Sequence, residues 1–232
     1  MANKLLNKAV KSDGEGRKFE ALSIYEHLVF KLMQKQTAQG YKSRELMQLT
    51  KNYVERIEVV KAFIDKKFAP AKRIRTKLFM DDSVGAGYND MFQPYLRSKI
   101  TEVEIDEPDM NESKHYKNLT DFIIMLTDSC PHLKYIRFVT TYDSKPEATQ
   151  KRALIKVKNS MLKRGIGMGI KCTEENVEAK VILDNGYIIK TGFGIHYHKL
   201  AFDENGKVTQ PDDRNEQKCN STAFEVWRAA GF

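Results

Sequence analysis

The sequence is poor in cysteine and has no long hydrophobic run. Its three cysteines, Cys130, Cys172 and Cys219, lie far apart and show no metal-ligand spacing. An odd, scattered set of this kind indicates reduced thiols rather than a disulfide framework. The longest apolar run, residues 122–126, is far shorter than the ~20 residues that span a bilayer. The N-terminal residues 1–10 have no apolar signal core. We therefore expect a cytoplasmic protein whose membrane contacts are peripheral.

Several motifs that would assign a function directly are also missing. The sequence has no internal repeat, no low-complexity block and no glycine-rich phosphate loop. It has no zinc finger, helix-turn-helix pattern or aromatic RNA-binding signature, so only the charge supports a nucleic-acid partner, and none is expected. The net charge of +8 favours an anionic partner. Charge alone does not choose among a membrane surface, a nucleic acid and an acidic protein.

The first part of the chain, residues 1–68, has only helical periodicity. Apolar spacing predicts helices at about residues 3–11 and 17–36, and a third helix that begins after an N-cap at Ser43. The buried stripe of this third helix is predicted to contain Leu46, Leu49, Tyr53, Ile57, Val60 and Ile64. Three amphipathic helices joined by short loops predict an all-α three-helix bundle.

The third helix carries a second stripe beside the first. Its members are mixed in character: Met47, Thr50, Val54, Glu58 and Lys61. A helix has two such stripes when one face packs in its own bundle and another receives a guest helix. A loosely patterned surface face would give the same spacing.

The residues that decide between these interpretations form a family pattern. They are Leu5-x-x-Lys8-Ala9-Val10, Asp13, Ala21-Leu22-x-x-Tyr25 and Tyr53-Val54-Glu55-Arg56-x-Glu58-x-x-Lys61. With this pattern, residues 1–68 resemble the MIT (microtubule interacting and trafficking) domain. The resemblance implies a bundle that binds helical C-terminal tails of ESCRT-III subunits between its second and third helices. It places Val54 at the groove centre, and it makes Glu55 and Glu58 the acidic residues that face a basic guest. Ile57 replaces the family's usual alanine.

The composition changes after the third helix. Pro70 ends the helix, and basic residues crowd positions 66–77, so we interpret residues 69–77 as a basic linker between two domains. From residue 78 to 232 the pattern alternates between strands and helices, which predicts an α/β domain. The predicted helices are 88–96, 116–127 and one that opens with a capping box at 144–147 and ends at Gly165. The predicted strands are 100–105, 133–141 and 166–172, followed by a hairpin and a final element at 222–228.

The hairpin is predicted at residues 178–198. Two β-branched or aromatic runs flank Asp184-Asn185-Gly186. An Asn-Gly pair between such runs is the strongest local hairpin signal, because both residues tolerate positive φ.

The hairpin also resembles the His-x-Lys-x4-Asp motif of the phospholipase D superfamily. Lys180 and Gly186 match, and the small residues at 190–194 match the segment after the motif. Glu178 stands in the position of the nucleophilic histidine, and Asn185 in that of the aspartate. These replacements imply a domain without catalysis, because a carboxylate repels a phosphodiester and an amide cannot ionise.

A lysine at the motif position can still bind a phosphate oxygen as a point charge. The predicted lipid-phosphate residues are therefore Lys180 and Lys190 of the hairpin, with Lys163 and Arg164 of the preceding basic helix. The alternatives are an ordinary core hairpin with a solvated lysine, and a basic helix that is simply solvated.

The second half as a whole carries a further pattern. It consists of Tyr88-x-x-Met91-Phe92-x-x-Tyr95-Leu96, Thr101-Glu102-Val103-x-Ile105-x-Glu107-Pro108, the hairpin residues 184–194 and Cys219-x-x-Thr222. The chain thereby resembles the family that pairs an MIT domain with a non-catalytic phospholipase-D-like domain. The loop at residues 201–218 adds nothing to the match.

That resemblance implies an ESCRT-III adaptor that needs no metal or cofactor. It implies binding to anionic, phosphoinositide-type membranes and a role in cytokinetic abscission at the midbody, with recruitment to endosomes. Superfamily sites are built from two half-domains, so a single half-domain predicts a homodimer. Two alternatives remain, an active phosphodiesterase of the superfamily and a basic nucleic-acid-binding protein.

Three histidines give weaker signals. His115-Tyr116-Lys117 before Asp121 imitates the superfamily motif with the aspartate one residue early, in a predicted helix. His196-x-His198 could place two imidazoles on one strand face, but a metal site would need further ligands. We expect these histidines to be structural or exposed.

Overall fold

A computed structural model of the chain describes residues 2–39, 43–96, 99–110, 112–142, 147–199, 201–202, 208–209 and 214–232. The chain divides between Pro70 and Ala71 into an all-helical unit and a unit built on a β-sheet. No helix in these ranges is long and apolar enough to cross a membrane.

The three helices predicted in the first unit are present. They are α1 (Ala2–Gly14), α2 (Lys18–Gln39) and α3 (Arg44–Phe68). Ser43 is the N-cap of α3, as predicted, and its hydroxyl accepts a hydrogen bond from the Leu46 amide at 3.5 Å. The predicted core positions Ile57, Val60 and Ile64 are buried. Leu49, also predicted to be buried, is 37% exposed.

Asp13, at the end of α1, ties that helix to the other two. Its buried carboxylate accepts hydrogen bonds from Lys18 of α2 and from Arg56 of α3, whose Nε lies 2.7 Å from Asp13 Oδ2. Burial alone would raise the pKa of the Asp13 carboxyl, but the bonds from Lys18 and Arg56 outweigh burial and lower it. The bond to Arg56 links the end of α1 to α3, whereas α1 packs chiefly against α2.

The second unit contains nine strands and three α-helices in its described residues. In chain order they are β1 (Ala71–Phe79), α4 (Tyr88–Phe92), β2 (Glu102–Asp106), α5 (Ser113–Ser129), β3 (Tyr135–Thr141), α6 (Glu147–Lys163), β4 (Gly167–Thr173), β5 (Lys180–Leu183), β6 (Tyr187–Thr191), β7 (Ala201–Phe202), β8 (Val208–Thr209) and β9 (Thr222–Ala229). Seven strands form one sheet in the order β1-β9-β6-β5-β2-β3-β4, and β7 pairs only with β8.

The sheet is mixed, and its two faces differ. Strands β2, β3 and β4 are parallel, and the other pairs in the sheet are antiparallel. The crossovers through α5 and α6 step in the same direction, so right-handed connections place both helices on one face. Val103 and Ile105 of β2 point into the core on that face, and Glu102, Glu104 and Asp106 alternate onto the other. The second face therefore carries charged side chains.

The prediction of a basic linker at residues 69–77 is wrong. Ala71–Phe79 is strand β1, which pairs antiparallel with β9 from Ala71–Ala229 to Phe79–Thr222. The strand is the edge of the sheet, so nearly all its side chains are exposed. Lysine-rich composition is a common way to protect a sheet edge from further pairing, and a bulge near Ile74 acts in the same sense. The second domain therefore begins at residue 71, not at 78.

The other predicted elements are present with shifts of a few residues at their ends, and the final element is strand β9. The capping-box residues 144–146 lie outside the described residues, as do residues 203–207 and 210–213 of the loop at 201–218. The hairpin is formed by β5 and β6, and its loop is Asp184-Asn185-Gly186. Of this loop only Gly186 takes a positive φ, +95°. This pattern fits a three-residue loop with glycine in the left-handed position.

Candidate functional site

The stripe predicted as a guest groove lies on α3 beside α2. Gln36 of α2 donates a hydrogen bond from Nε2 to Thr50 Oγ1 at 3.3 Å, which fixes Thr50 at the junction of the two helices. Met47 and Val54 lie three residues before and four residues after Thr50, and so on the same side of α3. They are 49% and 41% exposed. Arg56, which contacts α1, projects from another side of α3, so α1 does not cover this stripe.

Charged residues border the stripe. Glu58 and Lys61 form an ion pair at 3.2 Å, and both follow Val54 along the stripe at helical spacing. Glu55 is 3.9 Å from Lys51 and lies about 100° further around the helix than Val54. Five of the six predicted residues thus share one face of α3, and Glu55 lies beyond its rim.

The altered phospholipase D motif lies at the end of the sheet where the parallel strands β2, β3 and β4 terminate. Lys180 and Lys190 are direct cross-strand neighbours. Lys180 Nζ lies 3.4 Å from Asp106 Oδ2, and Lys190 Nζ lies 2.7 Å from Glu178 Oε1. The two lysines that would bind a phosphate are therefore already paired with carboxylates of the same chain.

Asp106 is an unusual member of this group. Burial raises the pKa of its carboxyl, and repulsion from Glu104 adds to the effect, while Lys180 acts in the opposite direction. Glu104 itself accepts a hydrogen bond from Arg137 Nε at 2.7 Å. A protonated Asp106 carries no negative charge and therefore leaves more of the positive charge of Lys180 uncompensated.

Asn185, in the position of the motif aspartate, has a structural role. Its side-chain amide donates to the Tyr95 carbonyl oxygen at 2.9 Å, and its side-chain oxygen accepts from the Tyr187 amide at 3.4 Å. Asp184 accepts hydrogen bonds from the backbone of Thr101 and Glu102. The loop is therefore anchored to two neighbouring segments, and the sequence marked it only as a turn.

The structure does not bring all four predicted lipid-phosphate residues together. Lys163 is the last residue of α6 and Arg164 follows it, close to Gly167, the first residue of β4. Lys180 pairs with the last residue of β2, at the opposite end of the parallel strands. Strand length alone separates the two ends by roughly 13 Å, at about 3.3 Å per residue. Arg164 is also engaged, since its Nη1 lies 3.3 Å from Asp128 Oδ1.

A buried polar cluster lies beside the altered motif, and it was not predicted from the sequence. Glu107 directly follows β2, and its Oε2 accepts a hydrogen bond from the Ile195 amide at 2.7 Å. His196 Nε2 lies 3.7 Å from Glu107 Oε1, and the His196 ring stacks on His115 at 4.3 Å between centroids. Gly194 has φ of +64°, and a Cβ at this position would overlap the Glu107 carboxylate. The combination of a glutamate before Pro108 with a Gly-x-His segment is the only trace of this cluster in the sequence.

Burial controls the protonation of the cluster. It raises the pKa of Glu107 to about 8, against partial compensation by the Ile195 amide. Burial lowers the pKa of His196 to about 3, and His115 adds to that effect. Glu107 is thus protonated and His196 neutral at pH 7, so the cluster carries no charge that would attract a phosphate.

The remaining histidine signal is structural. His198 is buried, and its Nε2 lies 3.0 Å from the Ala86 carbonyl oxygen. The part of the chain that the structure describes contains no group of three or more His, Cys, Asp or Glu residues that could hold a metal ion.

Comparison with known proteins finds one matching family and several similar chains. The family described as the phospholipase D-like domain at the C-terminus of MIT matches residues 85–228. Mouse MIT domain-containing protein 1 is 26% identical over 198 residues, which cover 84% of this chain and 80% of the mouse protein. A crystal structure of phosphatidylserine synthase from Haemophilus influenzae Rd KW20 aligns with 76% of this chain at 9% identity and a TM-score of 0.38. The alignment covers only 42% of the synthase chain.

The family match covers more than half of the 232 residues, from the segment before α4 to the end of β9. It includes six of the seven strands of the sheet, all but β1, together with the hairpin and the buried cluster. The chain therefore belongs to the family defined by a phospholipase D-like domain at the C-terminus of MIT.

Proposed function

We propose that this protein is a non-catalytic adaptor that joins ESCRT-III subunits to membranes. Its α2–α3 groove binds helical C-terminal tails of ESCRT-III subunits, and its phospholipase D-like domain binds anionic, phosphoinositide-type membranes. It acts from the cytoplasm in cytokinetic abscission, at the midbody and on endosomes. The observation that carries the proposal is the exposed apolar stripe of α3, centred on Val54 and left uncovered by α1.

The stripe has the composition that a helical guest requires. Met47 and Val54 offer apolar surface two turns apart, which matches the i, i+7 spacing of anchors on an amphipathic helix. Met33 of α2, three residues before Gln36, adds a further apolar side chain that is 55% exposed. Glu58 at the rim complements a basic guest. Burial of one aliphatic side chain here contributes on the order of 1–2 kcal/mol to binding.

We expect Val54→Asp to weaken binding of ESCRT-III tail peptides by at least thirtyfold. The variant loses the apolar contact and desolvates a carboxylate against an apolar guest, which together cost about 2 kcal/mol or more. Fluorescence anisotropy with labelled tail peptides measures the affinity. The matched control is Val59→Asp, because Val59 is 54% exposed on the same helix and lies about 140° further around it. Equal loss in both variants, or unchanged affinity in Val54→Asp, would contradict the groove.

The absence of catalysis is proposed from the residues at the motif. Nucleophilic catalysis at phosphorus needs an activated nucleophile, and Glu178 stands where the family has a histidine. Glu178 is bound to Lys190, and a negative group at that position repels an anionic substrate. Asn185 is held in the hairpin loop by the Tyr95 carbonyl and cannot act as an acid or base.

Purified protein is therefore expected to hydrolyse neither phosphatidylcholine nor an aryl phosphodiester above the buffer rate. Choline release and absorbance of the aryl leaving group measure the two reactions. If hydrolysis occurs and is lost in Lys180→Ala, the protein is an enzyme and the adaptor assignment is wrong. Hydrolysis that survives Lys180→Ala identifies a contaminant or a different site.

The membrane half of the proposal includes a homodimer. Superfamily sites are built from two half-domains, and this chain supplies one. A symmetric dimer would present each basic surface twice, so weak headgroup contacts would act together. The net charge of +8 supports an anionic surface as the partner.

A further inference from the structure

Helix α6 has an exposed outer face that carries apolar side chains. Its inner face packs Leu154, Val157 and Met161 into the core of the sheet unit. Ile155 and Leu162 lie on the outer face, 44% and 54% exposed. They are seven residues apart, which is two turns of helix, so they form one line along its exposed side.

Basic residues flank this apolar line on both sides. Lys151, Arg152, Lys156 and Lys163 are all exposed, and residues 148–164 contain no aspartate or glutamate. Within the described residues none of these four forms an ion pair, whereas Lys180 and Lys190 at the altered motif each have a carboxylate partner. Within the described residues, α6 thus carries positive charge without carboxylate partners at these four positions, whereas the lysines at the motif are paired.

We infer that α6 is the membrane-contact element, lying flat on an anionic bilayer with Ile155 and Leu162 inserted at the boundary of headgroups and acyl chains. This inference rests on the proposed membrane binding and specifies where it occurs. A basic amphipathic helix with apolar side chains on its exposed face is typical of elements that lie in the interface. Each basic residue near an anionic leaflet contributes to affinity, and inserted apolar side chains add a second signal.

The apolar line favours a bilayer over a nucleic acid. Phosphate-backbone binding needs only cations, and exposed isoleucine and leucine between them gain nothing from contact with phosphates. In a bilayer these two side chains leave water for the acyl boundary, while the lysines reach outward to the headgroups.

The opposite edge of the sheet offers a matched comparison. Strand β1 also carries cations that have no carboxylate partner in the described structure, among them Lys72 and Lys77. It lies six strand spacings from β4, against which α6 packs, or about 29 Å at 4.8 Å per spacing. Ile74 and Leu78 of β1 are exposed apolar residues as well, and so is Met80, which follows the strand. Directly after Met80 come Asp81 and Asp82, which an anionic surface would repel, whereas residues 148–164 contain no acidic residue.

The test uses the full chain and vesicles of phosphatidylcholine that contain about 30 mol% phosphatidylserine as the anionic lipid. The variants are Lys151→Glu/Lys156→Glu on α6 and Lys72→Glu/Lys77→Glu on β1, which change the net charge by the same amount. A third variant, Ile155→Ser/Leu162→Ser, leaves the charge unchanged. Co-sedimentation at several salt concentrations gives affinities, and circular dichroism checks folding, since all six positions are exposed or partly exposed.

We expect the α6 charge variant to bind at least thirtyfold more weakly, the β1 variant within about threefold of the parent, and the serine variant about tenfold more weakly. Leu162→Trp should show a blue-shifted emission on vesicles and quenching by brominated acyl chains. If the parent binds vesicles and the β1 variant loses as much affinity as the α6 variant, the inference about α6 is wrong and the proposed membrane binding stands. If the parent binds no vesicles at low salt, the inference about α6 and the proposed membrane binding are both wrong. Tighter binding to duplex DNA than to vesicles, lost in the α6 variant, identifies a nucleic-acid surface and overturns the inference.

Discussion

Gly194→Ala is expected to destabilise the sheet unit by about 3 kcal/mol or more. A residue other than glycine at φ of +64° costs roughly 1–2 kcal/mol. The added Cβ would also overlap the Glu107 carboxylate, which is buried and cannot move away into solvent. Overpacking at such a site costs about 1–3 kcal/mol, and displacement of Glu107 breaks its bond from the Ile195 amide at a similar cost. The sum of these costs is a large part of the free energy of unfolding of a typical domain.

Gly165→Ala is the matched control for this experiment. Gly165 also has a positive φ, +77°, but a Cβ there would meet nothing within 4 Å. Its cost is therefore the backbone term alone, roughly 1–2 kcal/mol. Urea unfolding followed by the fluorescence of Trp227, the single tryptophan, reports on the sheet through β9. If the two variants lose equal stability, the contact between Gly194 and Glu107 does not constrain the fold.

The sequence predicted the elements whose signals are local. Helical spacing, the Ser43 cap and the Asn-Gly loop each act over a few residues, and each is present in the structure. Strand β1 was missed because its partner β9 is more than 140 residues away in the chain, and because edge strands share the charged composition of linkers. Patterns of charge cannot separate a solvated linker from an edge strand without knowledge of pairing.

The candidate sites divide along the same line. The stripe on α3 follows from helix periodicity, and the structure places Met47, Thr50 and Val54 together beside α2. The pairing of Lys180 with Asp106 joins positions 74 residues apart through sheet register, which the sequence does not encode locally. The same is true of Glu107 and His196. Family resemblance identified the hairpin as an altered motif, but only the pairing shows that its lysines already have carboxylate partners.

The buried cluster also sets the pH dependence of stability. The pKa of Glu107 is raised from its ordinary value of 4.5 to about 8, mainly by burial. The folded state therefore holds this proton more tightly than the unfolded state. The contribution of Glu107 to stability is fully present below pH 4.5 and is lost as the pH rises through about 8. His196 acts in the opposite sense: its pKa is lowered to about 3, so its contribution is present above pH 6.5 and is lost as the pH falls through about 3.

Glu107→Gln should consequently stabilise the sheet unit at alkaline pH and leave it nearly unchanged in acid. Glutamine keeps an oxygen that accepts from the Ile195 amide and has no proton to lose. The difference between 4.5 and about 8 corresponds to about 5 kcal/mol, so the variant should gain most of that amount over the parent at pH 9 and very little at pH 4.5. Urea unfolding followed by Trp227 fluorescence measures the change. It is done at about pH 4.5, 7 and 9, which span the interval between the unfolded and folded pKa of Glu107. Glu174→Gln, at an exposed position of the same unit, is the control and should shift stability little at any pH. A Glu107→Gln variant that is less stable than the parent at pH 9 would mean that the carboxylate is ionised in the native cluster and is held there by the Ile195 amide and His196.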